Sequence, residues 1–433
     1  MTSLMKKVVP VERVLDLIQD GDILVNGMGG NEPVGLLSRL HEVADRVHNV
    51  TVVDCLPLFP GEYLQRDSFR VESWFYTPQL RALEGTGRVS YVPNHIDRAG
   101  IKFNARHQAA MLCSMASAPG PDGLVRFATG NAYEERIAEK AKYRVLEISE
   151  RAPWCHGNNF LDPDAVDFII ESDAELSCFV APPPTDNDMV IGRIVADLIK
   201  DGDCLQIGIG GIPDAICLSL RDKKDLGVHT EMLTVGIMDL IKAGVVTNAR
   251  KQIDIGKSTF IFGCGSPDLY SFMHENSSLW TGCAEELNSP FVIAQNDNQV
   301  SINSTIEIDL TGQCSSESVG TRHVSGAGGQ AETAAGAQLS KNGRSIIALH
   351  STQNVRDRAT GEVSAVSKIV PTLRPGAAVT LSRADVDWVV TEHGSVWLRG
   401  TSLAERARLL ISVAHPAHRE ELTQAARRFG YFL

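Results

Sequence analysis

The feature that most constrains this chain is an internal duplication. Residues 14–30 read VLDLIQDGDILVNGMGG and residues 195–211 read VADLIKDGDCLQIGIGG, identical at eleven of seventeen positions. Each copy opens on amphipathic helical spacing, turns at Asp-Gly-Asp, runs through an apolar strand and ends in Gly-x-Gly-Gly. Helical spacing then resumes over residues 33–40 and 213–220. Helix, turn, strand, glycine loop and helix are the parts of an α/β unit. The chain is therefore expected to hold two similar open α/β domains with largely parallel sheets. Apolar runs at residues 50–53, 166–170 and 345–349 supply further strands. Between the copies lies Ala181-Pro182-Pro183-Pro184 followed by polar residues. Proline suits neither a helix interior nor a central strand, so this stretch reads as a linker. The boundary is placed near residue 185, giving domains 1–185 and 186–433.

Composition removes several function classes. The formal net charge is −12, with the acids scattered, which argues against nucleic acid or an anionic membrane as partner. No apolar run approaches the ~20 residues that span a bilayer. Lys6 and Lys7 are not followed by an apolar core, so a secretory signal is not expected and the cytoplasm is. None of the nine cysteines forms C-x-x-C, which favours free thiols over disulfides or a metal site. His415 and His418 have ligand-like spacing but no Cys or acidic partner in phase, so no metal is expected.

A strand entering Gly208-Ile209-Gly210-Gly211 and then a helix suits an anion. Glycine admits close backbone approach, and a helix start presents unpaired N–H groups. The same geometry can form an oxyanion hole at Gly208, Gly210 and Gly211. A dinucleotide site is a second reading, since Glu231 lies near the distance at which a Rossmann fold places its ribose-binding acid. Against it, Pro213 occupies the third glycine position. A tight turn with no ligand is a third. The cluster Ser325-Gly326-Ala327-Gly328-Gly329-Gln330 reads either as a substrate loop or as a surface turn.

In order along the second half come LQIGIGGIP (205–213), LGVHTEM (226–232), GVVTNARK (244–251) and SINSTIEIDLTGQ (301–313). Gly328-Gly329-Gln330, VTEHG (390–394) and LRG (398–400) complete the series. Together they resemble the acetyl-CoA hydrolase/transferase family, in the branch of 4-hydroxybutyrate, butyrate and itaconate CoA-transferases; the first half matches more loosely. The resemblance implies an active site between the two domains, no metal and no permanently bound cofactor. It implies acyl-CoA esters and short carboxylic acids as substrates, and a homo-oligomer. The family's nucleophilic glutamate falls on Glu231, and its substrate-holding amides on Asn303 and Gln330. Gly328 and Gly329, with the Gly208 loop, become the expected donors to substrate oxyanions.

The implied reaction moves CoA from acetyl-, butyryl- or succinyl-CoA to 4-hydroxybutyrate, butyrate or itaconate through glutamyl anhydride and glutamyl–CoA thioester intermediates. A hydrolase using the same glutamate is the alternative. By order along the duplication, Val53 is expected opposite Glu231, so the first domain lacks the carboxylate. Glu392 is the second choice as nucleophile, and Arg322 or Arg399 could hold a second substrate carboxylate. The chain departs from the family at Val235-Gly236 and at Glu332-Thr333, both expected near the acyl pocket.

Overall fold

The computed structural model describes residues 3–356 and 360–432. Its first sheet contains β1 (Ile23–Asn26), β2 (Val50–Asp54), β3 (Phe69–Ser73), β4 (Val89–Tyr91), β5 (Met111–Ser117), β6 (Tyr143–Ser149) and β7 (Phe168–Glu171). They lie in the order β4-β3-β2-β1-β5-β6-β7, all parallel. The second sheet contains β8 (Cys204–Ile207), β9 (Gly227–Leu233), β10 (Ser258–Gly263), β11 (Leu279–Thr281), β12 (Gln299–Ser304), β13 (Arg344–Ala348), β14 (Trp388–Thr391) and β15 (Gly394–Trp397). Their order, β11-β10-β9-β8-β12-β13-β14-β15, repeats the first with one antiparallel edge strand added. The chain thus forms two α/β domains of one topology, as the duplication predicts.

The Asp-Gly-Asp turns explain why that segment is shared. Gly21 and Gly202 adopt φ of +75° and +84°, which a side chain disfavours. The aspartate that follows each accepts a backbone N–H, Gln19 to Asp22 at 2.8 Å and Lys200 to Asp203 at 2.7 Å. The glycine N–H donates in each case to the chain entering the neighbouring strand, to His48 and Lys224 carbonyls at 2.9 Å. One turn therefore sets the start of the central strand and the place of its neighbour. Residues 181–184 carry no regular structure, and Thr185 caps the helix Asp186–Leu198 in a reciprocal capping box with Asp188.

The observed register corrects one expectation. Leu24 pairs with Val52, and its duplicate Leu205 pairs with Val228. Val52 and Val228 are therefore equivalent, and so, an equal distance along, are Cys55 and Glu231. Cys55, not Val53, stands opposite the glutamate. The connection between the paired strands is five residues shorter in the second copy, 23 from Leu205 to Val228 against 28 from Leu24 to Val52, so order along the chain does not give the pairing.

The domains share a core. Met28, Cys55, Leu56 and Trp74 from the first pack in one apolar cluster with Met232, Phe262 and Cys264 from the second. At the rim the backbones meet directly. Gly263 donates to the Thr129 carbonyl at 2.7 Å, Asn158 to that of Thr281 at 2.7 Å, and Thr281 to that of His156 at 3.0 Å. Gly157 sits in this contact with φ of +141°, and a Cβ there would lie 1.8 Å from the Thr281 carbonyl oxygen. Gly157→Ala should therefore destabilise the protein by about 2 kcal/mol or more in urea unfolding, and a loss under about 0.5 kcal/mol would contradict this account of the contact.

Candidate active site

A cleft of about 980 Å³ opens between the domains. The first domain contributes Met28, Leu56 and the segment 75–79, and the second contributes Gly208, Glu231, Asn303 and the loop 324–330. The two copies of the strand–glycine-loop unit thus face each other, with Met28 and Leu56 opposing Ile209 and Glu231.

Glu231 projects from β9 into this cleft and is only partly accessible. Its Oε2 accepts a hydrogen bond of 2.8 Å from the Gly329 N–H, at the start of the helix Gln330–Leu339. Burial pushes the carboxyl up to about 7, and the Gly329 bond pulls the other way. The two glycines of this loop have separate reasons. Gly328 takes φ of +54°, whereas a Cβ on Gly329 would lie 2.4 Å from Glu231 Oε2 and 2.4 Å from Asn288 Nδ2. The loop is braced from the first domain by Ile96, whose N–H donates to the Gly328 carbonyl at 3.3 Å.

The strand is held in turn by His229, two residues before the glutamate. Burial first, and nearby Lys251 second, push this imidazole down to about 4, so the ring is neutral. Nε2 lies 2.7 Å from the Leu287 carbonyl, which can only accept, so the proton is on Nε2. Nδ1 is left to accept from Asn296 Nδ2 at 3.4 Å. The backbone carbonyl of His229 accepts from Gln299 Nε2 at 3.1 Å.

Asn303 and Gln330 line the cleft as expected. Asn303 Nδ2 lies in a polar network with Ser301 Oγ at 2.9 Å, Thr333 Oγ1 at 3.2 Å and Gln206 Oε1 at 3.3 Å. The unusual Thr333 therefore orients a cleft amide. Gln330 Nε2 donates to the Ser304 carbonyl at 3.4 Å. The Gly208 N–H is already engaged by the Ile302 carbonyl at 3.3 Å, and Gly210 and Gly211 form the start of the helix Gly211–Ser219 outside the cleft lining. Of the expected glycine donors, the Gly329 N–H is the one that meets the carboxylate.

Several sequence candidates lie elsewhere. Glu392 accepts from Ser351 N at 2.9 Å and Ser351 Oγ at 2.6 Å; burial raises its pKa, but these bonds outweigh it and hold the carboxyl low. Arg399 is bound to Asp387 at 2.6 Å, and Arg322 pairs with Glu84 at 3.3 Å, both outside the cleft lining. Glu332 is buried beside His95 and Asp97. Among the described residues, the cations that line the cleft are Arg81 and Lys368. Burial pushes the Lys368 ammonium down to about 8 against the opposing pull of Glu392. Sequence reasoning missed both, because neither lies in a motif.

A glutamate raised to about 7 binds a proton more tightly folded than unfolded, where its ordinary value is 4.5. The stability this confers is present below 4.5 and is lost as pH rises through 7. Glu231→Gln should therefore melt higher than the wild type at pH 8, with the difference vanishing by about pH 4.5, as followed by thermal unfolding across pH. Equal melting temperatures at pH 8 would contradict the buried, strained charge.

Residues 2–181 match the acetyl-CoA hydrolase/transferase N-terminal domain, and residues 265–426 match the C-terminal domain. The chain is 38% identical to succinyl-CoA:cyclohexane-1-carboxylate CoA transferase of Geobacter metallireducens, over 97% of this chain and 95% of that one. It is 37% identical to 4-hydroxybutyrate coenzyme A transferase of Clostridium kluyveri, over 96% of each. The crystal structure of RipA from Yersinia pestis superposes with a TM-score of 0.90 at 35% identity, covering 99% of both chains. The chain belongs to the acetyl-CoA hydrolase/transferase family and is an enzyme of its CoA-transferase branch.

Proposed function

We propose that the chain moves CoA from a short acyl-CoA (acetyl-, butyryl- or succinyl-CoA) to a short carboxylate (4-hydroxybutyrate, butyrate or itaconate), with Glu231 as covalent nucleophile. The observation that carries this reading is a partly accessible carboxylate deep in an interdomain cleft, tethered by one backbone N–H and, among the described residues, facing no cation. A carboxylate removed from water and set beside a bound thioester is a better nucleophile than a hydrated one. Glu231 attacks the acyl carbonyl and expels CoA thiolate, leaving an acyl–glutamyl anhydride. The thiolate attacks the glutamyl carbonyl, forms a glutamyl–CoA thioester and releases the donor acid. The acceptor acid reverses both steps. The thioester's energy stays in covalent bonds, so no ATP is consumed and kinetics are ping-pong.

Asn303 and Gln330 hold the substrate in this scheme, the backbone amides of Gly328 and Gly329 shape the anionic end of the site, and Gly208 lines the cleft with its N–H already engaged. A second carboxylate, as in itaconate or succinate, would meet Arg81 or Lys368, the cations that face the cleft. The two domains divide at 185/186 and close over a site whose chemistry lies in the second. No helix among the described residues is long and apolar enough to cross a membrane. We place the enzyme in the cytoplasm, where its nine thiols stay reduced, as a homo-oligomer.

Incubation with acetyl-CoA should add a CoA-sized mass to the wild-type chain and none to Glu231→Ala; an adduct on the variant would place the nucleophile elsewhere. Labelled acetate should enter acetyl-CoA. Release of CoA without an acceptor at the same rate would instead make the enzyme a hydrolase.

A further inference from the structure

Away from the cleft lining, His95, Asp97 and Glu332 each bring a ligand-type atom within 4.8 Å of the other two. Among the described residues no other three His, Cys, Asp or Glu side chains converge this closely. His95 and Asp97 lie at the 3₁₀ turn Ile96–Arg98 of the first domain, and Glu332 in the first turn of the helix Gln330–Leu339 of the second. Glu332 is 3% exposed, and neither of its oxygens meets a donor in hydrogen-bonding geometry. Asp97 is 5% exposed; its Oδ2 accepts from Arg98 Nε at 3.2 Å, while its Oδ1 has no partner. His95 is half-exposed and holds Nδ1 3.6 Å from Glu332 Oε2. Burial lifts the Glu332 carboxyl to about 8 with a further push from the charges of Asp97 and Glu231, and the nearby N–H groups of Glu332 and Asp97 pull the other way. Two buried carboxylates side by side are costly without a counter-charge, and buried polar atoms left without partners have a reason.

The donors suit a divalent transition metal. One imidazole nitrogen and two carboxylates are ligands that zinc takes at about 2.0–2.2 Å, with water completing a tetrahedron. Ligand atoms at that length around a tetrahedral ion stand about 3.4 Å apart, close to the 3.6 Å between Nδ1 and Oε2. The exposed His95 ring can turn to complete the set. Asp97 also lines a cavity of about 260 Å³ in which Glu135, Glu139, Glu285 and Glu286 outweigh Arg136, and such an excess of acid raises the local concentration of cations. We propose that His95, Asp97 and Glu332 bind one divalent transition-metal cation, with Zn²⁺ the best fit, as a clamp between the two domains. The ion ties residues 95–97 to the helix Gln330–Leu339, beside the 3.3 Å bond from the Ile96 N–H to the Gly328 carbonyl that already joins the same segments. Its role is structural, so the proposal stands apart from the identity of the nucleophile. No ligand spacing marks the site in the sequence, because the third ligand comes from the other domain.

The test uses the full chain, stripped with EDTA, freed of chelator and titrated with ZnCl₂ by calorimetry, with melting followed with and without the ion. The wild type should take up one Zn²⁺ with micromolar affinity or better and melt higher with it. Glu332→Gln and His95→Ala should each weaken that binding at least about tenfold and abolish the thermal shift. In EDTA, Glu332→Gln should melt no lower than the wild type, because it removes a buried charge that has no partner there. His415→Ala, which breaks the surface pair with His418, should bind as the wild type does, and excess MgCl₂ should not displace the zinc. Failure of the wild type to take up Zn²⁺ saturably overturns the proposal and leaves a shared proton to join the two carboxylates. Uptake that survives in both Glu332→Gln and His95→Ala, or that is lost in His415→Ala, marks adventitious surface binding and overturns it too. Displacement by Mg²⁺ overturns the choice of a transition metal. If Glu332→Gln fails to fold, His95→Ala decides alone, since it alters only an exposed ring.

Discussion

The site is organised by one hydrogen bond, from the Gly329 N–H to Glu231 Oε2, and much of the fold serves to make it possible. The donor begins a helix after β12 and the acceptor projects from β9, so residues almost a hundred apart must meet at 2.8 Å. Both ends are held by contacts that leave little play. His229 and Gln299 anchor β9, and Ile96 of the first domain supports the Gly328 carbonyl. Two glycines in succession are required because one bends the chain through positive φ and the other lets the carboxylate approach the backbone.

The electrostatics follow from what is absent around that bond. Among the described residues no arginine or lysine faces Glu231, so burial is opposed by one amide, and the carboxyl rises to about 7. A salt bridge would lower the pKa and quench nucleophilicity together. Among the described residues, the cations that line the cleft are Arg81 and Lys368, and neither contributes to the carboxyl's shift. Glu392 shows the opposite arrangement, with two donors from Ser351 fixing it as a low-pKa structural acid.

The topology was largely legible in the chain. The Asp-Gly-Asp and Gly-x-Gly-Gly signatures recur because the same turn starts the same central strand twice, and the two sheets follow the same strand order. The register was not legible. Val50-Thr51-Val52-Val53 is a uniformly β-branched run, and a slip of two residues keeps every side chain on its face, so pattern alone cannot separate Val53 from Cys55. Cys55 lies close enough to Glu231 that the carboxylate's charge, after burial, helps keep its thiol protonated. The cleft amides Asn303 and Gln330 were found through motifs. Arg81 and Lys368 were not, since each reaches the site from a segment with no signature of its own. Arg322 and Arg399 misled because an arginine's partner is set by tertiary structure, and theirs are Glu84 and Asp387.

The central claim is that Glu231 exchanges an oxygen atom with its substrates. It is tested most directly with an acceptor acid carrying ¹⁸O in its carboxylate, turned over with unlabelled acyl-CoA and followed by peptide mass mapping. Passage through the anhydride leaves one acceptor oxygen on the glutamate, so the heavy atom should appear in the peptide containing Glu231 and, over further turnovers, in the acid released from the donor. Turnover with no ¹⁸O in the protein would contradict the account.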